Sequence, residues 1–317
     1  MTRRGRGLLL QAALAAALLC GLGFLAWTTA QNLEARKIAS GFAFLWREAG
    51  FEIGETGFFA YGAADSYLRA LAIGLANTLR VAALGVFLAT ALGALLGLAR
   101  LAPNWLLARL AGAYVETVRN VPLLVQLFFW YALISEILPA PAEALNPLAG
   151  VFLSNRGIFF PLPGDVPALS GFNFTGGAAL SPEFAALLIG LTTYTAGFIA
   201  EIVRAGILSV PRGQLEAARS LGLARGDALR WVVLPQALRL IVPPMTSQFL
   251  NLTKNSSLAV AIGYPDLVSI ANTTINQTGQ AIEGVAVIMA VFLTISLSIS
   301  AFMNWYNRRV ALRGIAS

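Results

Sequence analysis

The sequence predicts an all-α integral membrane protein, with one N-terminal helix followed by five further spans. Three observations predict it. Hydrophobic residues fill 57% of the 317 positions and charged residues only 12%, against about 45–50% and about 25% in soluble domains. Six apolar runs are long enough for a bilayer core, which takes roughly 20 residues. The basic residues gather in alternate connections between those runs, the pattern that fixes orientation in a membrane. A globular surface could not be covered with so little charge, and a disordered or disulfide-stapled chain is excluded.

Absences narrow the chemistry. The chain has no histidine, which excludes a Ser-His-Asp triad and an HExxH zinc site. Its one cysteine, Cys20, lies in an apolar run, so no intrachain disulfide forms. Neither lysine, Lys37 or Lys254, follows a glycine, so no GxxxxGK[ST] phosphate loop exists. No catalytic, metal or cofactor constellation presents itself. The net charge of +7 reads as topology rather than nucleic-acid binding.

The first uncharged run, Gly7 to Leu33, follows Arg3, Arg4 and Arg6. A cleaved signal peptide is the competing reading, with Thr28-Thr29-Ala30 as a weak cleavage site, but a signal core spans only about 7–15 residues. Residues 1–33 are therefore read as an uncleaved anchor. Leu19 before Cys20 is a poor lipoprotein-processing site. Residues 34–69 are polar and form an extramembrane segment. Span two covers about 71–99, interrupted by Arg80; span three covers about 121–138, between Asn120 and Pro139. Six prolines and a Gly176-Gly177 pair between 139 and 181 mark an irregular insertion. Ser181-Pro182-Glu183 is a helix start, Ser capping and Pro in the first turn, and opens span four at 183–205. Residues 206–236 are basic and amphipathic, hence extramembrane. Span five, 237–262, contains Pro243-Pro244 and Lys254, and the last span is 284–305.

With the N terminus inside, segments 1–6, 100–120, 204–239 and 306–317 are cytoplasmic and hold 15 of the 22 basic residues. The outer segments are acidic, with Glu34, Glu48, Glu52, Glu55 and Asp65 in the first of them. Both termini are then cytoplasmic.

The large basic loop carries the most information. Pro211 to Gly222 reads as a short helix closed by a left-handed glycine. Asp227 reads as the cap of a second helix that ends before Pro235. Ala217 and Ala218 leave room for another backbone, and Glu216 sets a carboxylate beside them. Such a pair suits docking to a second protein.

Glu216-Ala217-Ala218, three residues, Gly222, nine residues, Val232, one residue, Leu234-Pro235 resembles the EAA motif of ABC importer permeases; Val232 stands where isoleucine is commoner. Three further stretches resemble the histidine/glutamine type of polar amino-acid permease: Gly74 to Ala82, Tyr114 to Gln126 with Phe128 to Tyr131 after it, and Thr253 to Leu258. Gly41 to Leu45, Ala49-Gly50-Phe51 and the insertion at 139–181 are similar to the broad-specificity L-amino-acid branch. The resemblance covers about 70–309. It implies the type I importer fold, with five core helices and one N-terminal helix, in the bacterial inner membrane. It implies a second homologous permease subunit, two ATPase subunits that bind ATP and Mg, and a periplasmic amino-acid-binding protein. No cofactor is implied in this chain. Glu216, Ala217, Ala218 and Gly222 would couple the spans to the ATPase.

Polar residues inside spans are costly unless paired or facing a wet cavity. Asn77 and Thr78, Thr193 and Tyr194 with Thr192 and Thr195, and Asn251, Lys254, Asn255 and Ser256 with Ser257 are the pathway candidates. Hydrogen bonding between helices, about 0.6 kcal/mol each, is the other role open to every one of them. Glu201 and Arg204 have the spacing of a local ion pair; Arg80 and Glu116 read as paired or interfacial. An ion-coupled secondary transporter is the rival class. It would need intramembrane ionisable groups and usually repeats, and it leaves the EAA-like loop unexplained.

Overall fold

The computed structural model describes residues 3–35, 40–57 and 59–310; the basic residues Arg36, Lys37 and Arg313 lie outside them. Helix α1 (Arg3–Ala35) is followed by a short 3₁₀ turn, Phe42–Trp46, and then by α2 (Tyr67–Ala99). Ser66 caps α2 by accepting from the Arg69 N–H. Helices α3 (Trp105–Asn120) and α4 (Leu123–Ala132) follow, the latter ending in a π turn at Leu133–Ile137. Helix α5 (Pro182–Leu208) begins as the sequence predicts, with Ser181 accepting from Phe184 N–H and Pro182 in the first turn. Then come α6 (Arg212–Ser220), α7 (Arg225–Ala228), α8 (Leu234–Asn255), α9 (Leu267–Thr278) and α10 (Ala281–Val310).

Four stretches are long and apolar enough to cross a membrane alone: Leu10–Thr29, Tyr67–Ala99, Pro182–Leu208 and Ala281–Arg309. Two bent pairs raise the number to six by length and composition. Trp105–Asn120 joins Leu123–Ile137 at 104°, and Gly226–Ile262 joins Leu267–Thr278 at 53°. The chain is thus a multi-pass helical membrane protein.

Three readings need correction. Residues 105–120 are not part of a long connection: they are α3, packed on α5 with Ala111 and Val115 buried. Arg109, Glu116 and Arg119 interrupt the apolar run and hide its inward stripe. Asp227 does not cap a second helix but sits inside α7. That helix does not end before Pro235 either. It continues through a π turn at Leu229–Val233 into α8, whose first turn accommodates Pro235. Helix α9 has no counterpart among the sequence-read elements.

Between α4 and α5, strands β1 (Leu145–Leu148), β2 (Val151–Ser154), β3 (Gly157–Phe160) and β6 (Ala178–Leu180) form an antiparallel sheet in the order β1-β2-β3-β6. Strands β4 (Ala168–Ser170) and β5 (Asn173–Thr175) form a separate hairpin. Phe174 of the hairpin stacks on Phe152 at 4.5 Å and packs on Phe159 at 5.0 Å. This patch and the α6 loop mark the two opposite ends of α5.

The α2–α5 seam is the centre of the bundle. A Cβ on Gly93 would lie 2.6 Å from Ile199 Cβ, and one on Gly97 would lie 2.8 Å from the Ala200 carbonyl. Both glycines are needed for this approach, the small-residue packing characteristic of membrane helices. A second cluster, with Phe44, Tyr67, Leu71, Leu267 and Ile270, joins the segment before α2 to α2 and α9.

Candidate functional site

Helix α6 follows α5 after only Ser209, Val210 and Pro211. Its C-terminus is a Schellman turn. Leu223 N–H donates to the Ala218 carbonyl at 3.1 Å and Gly222 N–H to the Arg219 carbonyl at 2.9 Å. Gly222 has φ +83°, the left-handed conformation that the sequence predicts there. Helix α6 packs on the Leu229–Val233 turn, and Ala218, Ala228 and Val233 are buried. Glu216, Ala217 and Gly222 remain exposed, beside Leu221 at 84% and Trp231 at 64% exposure. The outward face therefore offers a carboxylate, a small-residue step and two large apolar side chains. That is the make-up of a protein-docking surface, with an aromatic anchor.

About two turns before α5 ends, Glu201 accepts from two arginines. Arg204 Nη2 donates to Oε1 at 2.5 Å, and Arg100, at the end of α2, donates to Oε2. The expected local pair is present, and it extends across to a second helix. All three side chains are partly exposed, between 17% and 30%.

The pathway candidates separate into two groups. Asn77 is buried and donates to the carbonyls of Glu55 at 2.8 Å and Pro265 at 2.9 Å. Thr78 donates to the Gly74 carbonyl and accepts from Leu267 N–H at 3.1 Å. Ser256 donates to the Thr253 carbonyl at 2.7 Å and is fully buried. The hydrogen-bonding groups of these three are engaged within the fold. Thr193 is half-buried and bonds the Ile189 carbonyl, while its own carbonyl accepts from Tyr114. Tyr194 is half-buried against Phe198 at 5.0 Å. Asn251 and Lys254 are exposed on α8, and Asn255 is half-buried where the α-helix tightens to a 3₁₀ turn at Ser256.

Two structural residues escaped the sequence reading. Gln126 donates to the carbonyls of Val118 and Val121, at 2.8 and 3.0 Å, and staples the 104° bend between α3 and α4. The Val121-Pro122 break was the signal. Glu55 accepts from Arg80 Nη1 at 2.8 Å and from Ser181 Oγ at 2.6 Å, so Arg80, expected to be paired or interfacial, is paired. Its guanidinium also lies over Phe184 at 4.3 Å. Among the described residues no group of three or more His, Cys, Asp or Glu is placed to hold a metal ion.

Comparison with known proteins places this geometry. YhdX of Escherichia coli (strain K12) is 46% identical, across 92% of this chain and 90% of that protein. The general L-amino acid transport system permease protein AapQ of Rhizobium johnstonii is 42% identical, across 92% and 89%. The glutamate/glutamine/aspartate/asparagine transport system permease protein BztB of Rhodobacter capsulatus is 37% identical, across 98% and 95%. A crystal structure of an amino acid ABC transporter with histidines superposes with TM-score 0.56 at 28% identity, covering 77% of this chain and 95% of that one. Residues 89–312 match the profile of the binding-protein-dependent transport system inner membrane components. The chain belongs to that family of transport components, which are not themselves enzymes.

Proposed function

We propose that this chain is the permease subunit of an ATP-driven, binding-protein-dependent importer of L-amino acids. It forms half of the translocation pathway with a second, homologous permease. Two ATPase subunits carry ATP and Mg, and a periplasmic protein delivers the substrate. The N and C termini and the α6 loop face the cytoplasm, and the strand patch faces the periplasm. The amino-acid class rests on the names borne by AapQ and BztB.

The observation that carries the proposal is the α6 loop. Its exposed Glu216-Ala217 face and the Gly222 turn are joined to α5 by only three residues, Ser209 to Pro211. Docking of the ATPase there would move α5 directly. The pathway is lined by the residues whose side chains are not engaged between helices, Asn251, Lys254 and Asn255 with Thr193 and Tyr194. Asn77 and Thr78 hold separate elements together, and Ser256 bonds back to its own helix.

Uptake of labelled amino acids is measured after co-expression with the partner permease, the ATPase and the binding protein. Glu216→Lys reverses the docking charge. Gly222→Asp adds strain of roughly 1–2 kcal/mol and a second carboxylate. Both should reach the membrane normally and lose about tenfold or more in uptake and in ATPase stimulation by loaded binding protein, a change of about 1.4 kcal/mol in coupling. Well-expressed variants that transport like the parent would overturn the coupling role. Uptake that survives vanadate and stops with an uncoupler would establish the ion-coupled alternative instead.

A further inference from the structure

Helix α3 carries a polar stripe that this chain leaves uncovered. Arg109, Ala113, Glu116, Thr117 and Asn120 recur at helical spacing and are all exposed, as is Arg119 beside them. The other side of the helix packs on α5. A Cβ on Gly197 would lie 3.4 Å from Arg119 Cγ, 3.6 Å from Val118 Cγ1 and 3.8 Å from the Val115 carbonyl oxygen. Glu116 and Arg119 therefore sit level with Gly197. That glycine is fifteen residues after Pro182 and eleven before Leu208, about 22 Å and about 16 Å from the ends of α5 at 1.5 Å per residue. Both charges lie well inside a hydrocarbon core about 30 Å thick.

Charges at that depth are costly unless they pair or face water. Arg80 has Glu55, and Arg100 and Arg204 share Glu201. Among the described residues Glu116 and Arg119 form no ion pair, with each other or with a third group. The Arg119 guanidinium lies instead over the Phe198 ring, 5.0 Å from its centroid, and Phe198 packs on Tyr194 at 5.0 Å. An aromatic face steadies the cation and leaves its N–H fork free for an anion. Gly197 turns to α3, Gly206 meets Ile241 of α8, and Ile199 and Ala200 meet α2. Helical spacing puts Tyr194, Phe198 and Glu201 on the strip of α5 left between α3 and α8, and all three are partly exposed.

We propose that Glu116 and Arg119 bind the backbone groups of the transported amino acid, Arg119 taking the carboxylate and Glu116 the ammonium group. The proposal rests on the importer reading above and adds a substrate contact to it. An acid and a base one helical turn apart, held open rather than closed on each other, complement a zwitterion. The guanidinium fork suits a carboxylate, which it can hold with two parallel hydrogen bonds. A stripe with these charges cannot face lipid. Tyr194, already placed on the pathway, continues into it through Phe198. A site that reads only the two backbone groups leaves the side chain of the cargo unselected.

The test uses the whole complex in proteoliposomes, with the partner permease, the ATPase and the binding protein. Labelled L-glutamine, L-aspartate and L-leucine are the probes. Arg119→Cys is made in a Cys20→Ala background, so the introduced thiol is the only one in this chain. Uptake should fall about tenfold or more, the scale of one charge-assisted contact, while ATPase stimulation by loaded binding protein is retained. Aminoethyl methanethiosulfonate restores a positive charge and should recover uptake several-fold; the neutral methyl reagent should not. A transported probe should slow the labelling several-fold, read on the peptide by mass spectrometry, and the amide of the same amino acid, which lacks the carboxylate, should not. Glu116→Cys is the mirror test and decides alone if Arg119→Cys fails to assemble. There the sulfonatoethyl reagent restores the charge, and the N-acetylated amino acid, which lacks the ammonium group, should fail to protect. Parent-like uptake by these variants would overturn the proposal and leave the importer reading standing. Lost uptake without protection of the thiol by any probe would also overturn it, and would place the charges at the seam with the partner permease. A parent complex that transports none of the probes would overturn the importer reading and this proposal with it.

Discussion

Glu55 and Arg80 form an ion pair at 2.8 Å that binds the segment before α2 to α2 itself, and the same carboxylate takes the Ser181 hydroxyl at the start of α5. The Glu55 carbonyl also receives the Asn77 amide, which bonds Pro265 as well. One residue of the polar N-terminal segment therefore ties together α2, α5 and the connection before α9.

Removing that carboxylate leaves the Arg80 guanidinium over the Phe184 ring without its ion-pair partner. Hydrogen bonds to charged groups contribute about 1.5–3 kcal/mol each, less here because both side chains are partly exposed. Glu55→Ala should lower the thermal transition of the detergent-solubilised protein by several degrees. Glu55→Gln retains a hydrogen-bond acceptor for Ser181 and should lose less. Equal stability of Glu55→Ala and the parent would show the tie to be without energetic weight.

The α2–α5 seam leaves no room for a methyl group. Gly93→Ala sets a Cβ 2.6 Å from Ile199 Cβ, an overpacking that costs about 1–3 kcal/mol. Folded yield should fall, and Ile199→Ala in the same chain should restore part of it. A Gly93→Ala protein as stable as the parent, or one that Ile199→Ala fails to help, would mean that the helices separate easily.

Orientation is tested by thiol labelling in a Cys20→Ala background. Ser170→Cys in β4 and Ser220→Cys in α6 lie at opposite ends of α5 and are both exposed. An impermeant maleimide applied to spheroplasts should label position 170 and spare position 220 until the membrane is opened. The reverse pattern would invert the topology.

Glu201→Gln removes the charge that Arg100 and Arg204 share. Two like charges would then face each other at the end of the bundle. The variant should insert but lose uptake several-fold, with basal ATPase activity of the assembled complex retained. Glu201→Asp, which keeps the charge, should recover more than half of the loss. Full activity of Glu201→Gln would confine the cluster to a passive role.

Elements with local signals were legible in the sequence. Helix α5 is announced by Ser181-Pro182, and the turn after α6 by Gly222, because capping and left-handed backbone depend on neighbours in the chain. The all-helical class and the family resemblance were equally legible. Long-range pairings were not: Glu55 and Arg80 are 25 residues apart, and Arg100 and Glu201 are 101 apart. Arg100 was counted only as a basic loop residue, since nothing beside it reveals which helix it will meet. The strands at 145–180 are three or four residues long, too short for an alternating pattern, and depend on Phe174 meeting Phe152 and Phe159. Helix α3 was hidden by its three charges, and the two-helix reading after α6 failed because a π turn carries the chain smoothly into α8.

Gly93, Gly97 and the Glu201 cluster fasten α2 to α5 along the half of the seam nearest α6. These two helices are mechanically one strut. A displacement applied at α6 would tend to tilt this strut whole rather than bend it. The yielding element must then be α8, whose backbone is already relaxed at both ends and in the middle. It enters through a π turn, carries Pro243 and Pro244 with their missing hydrogen bonds, and leaves as a 3₁₀ turn. A stroke delivered at the loop, as proposed above, would meet one stiff member and one compliant member, and would flex the helix that bears Asn251 and Lys254.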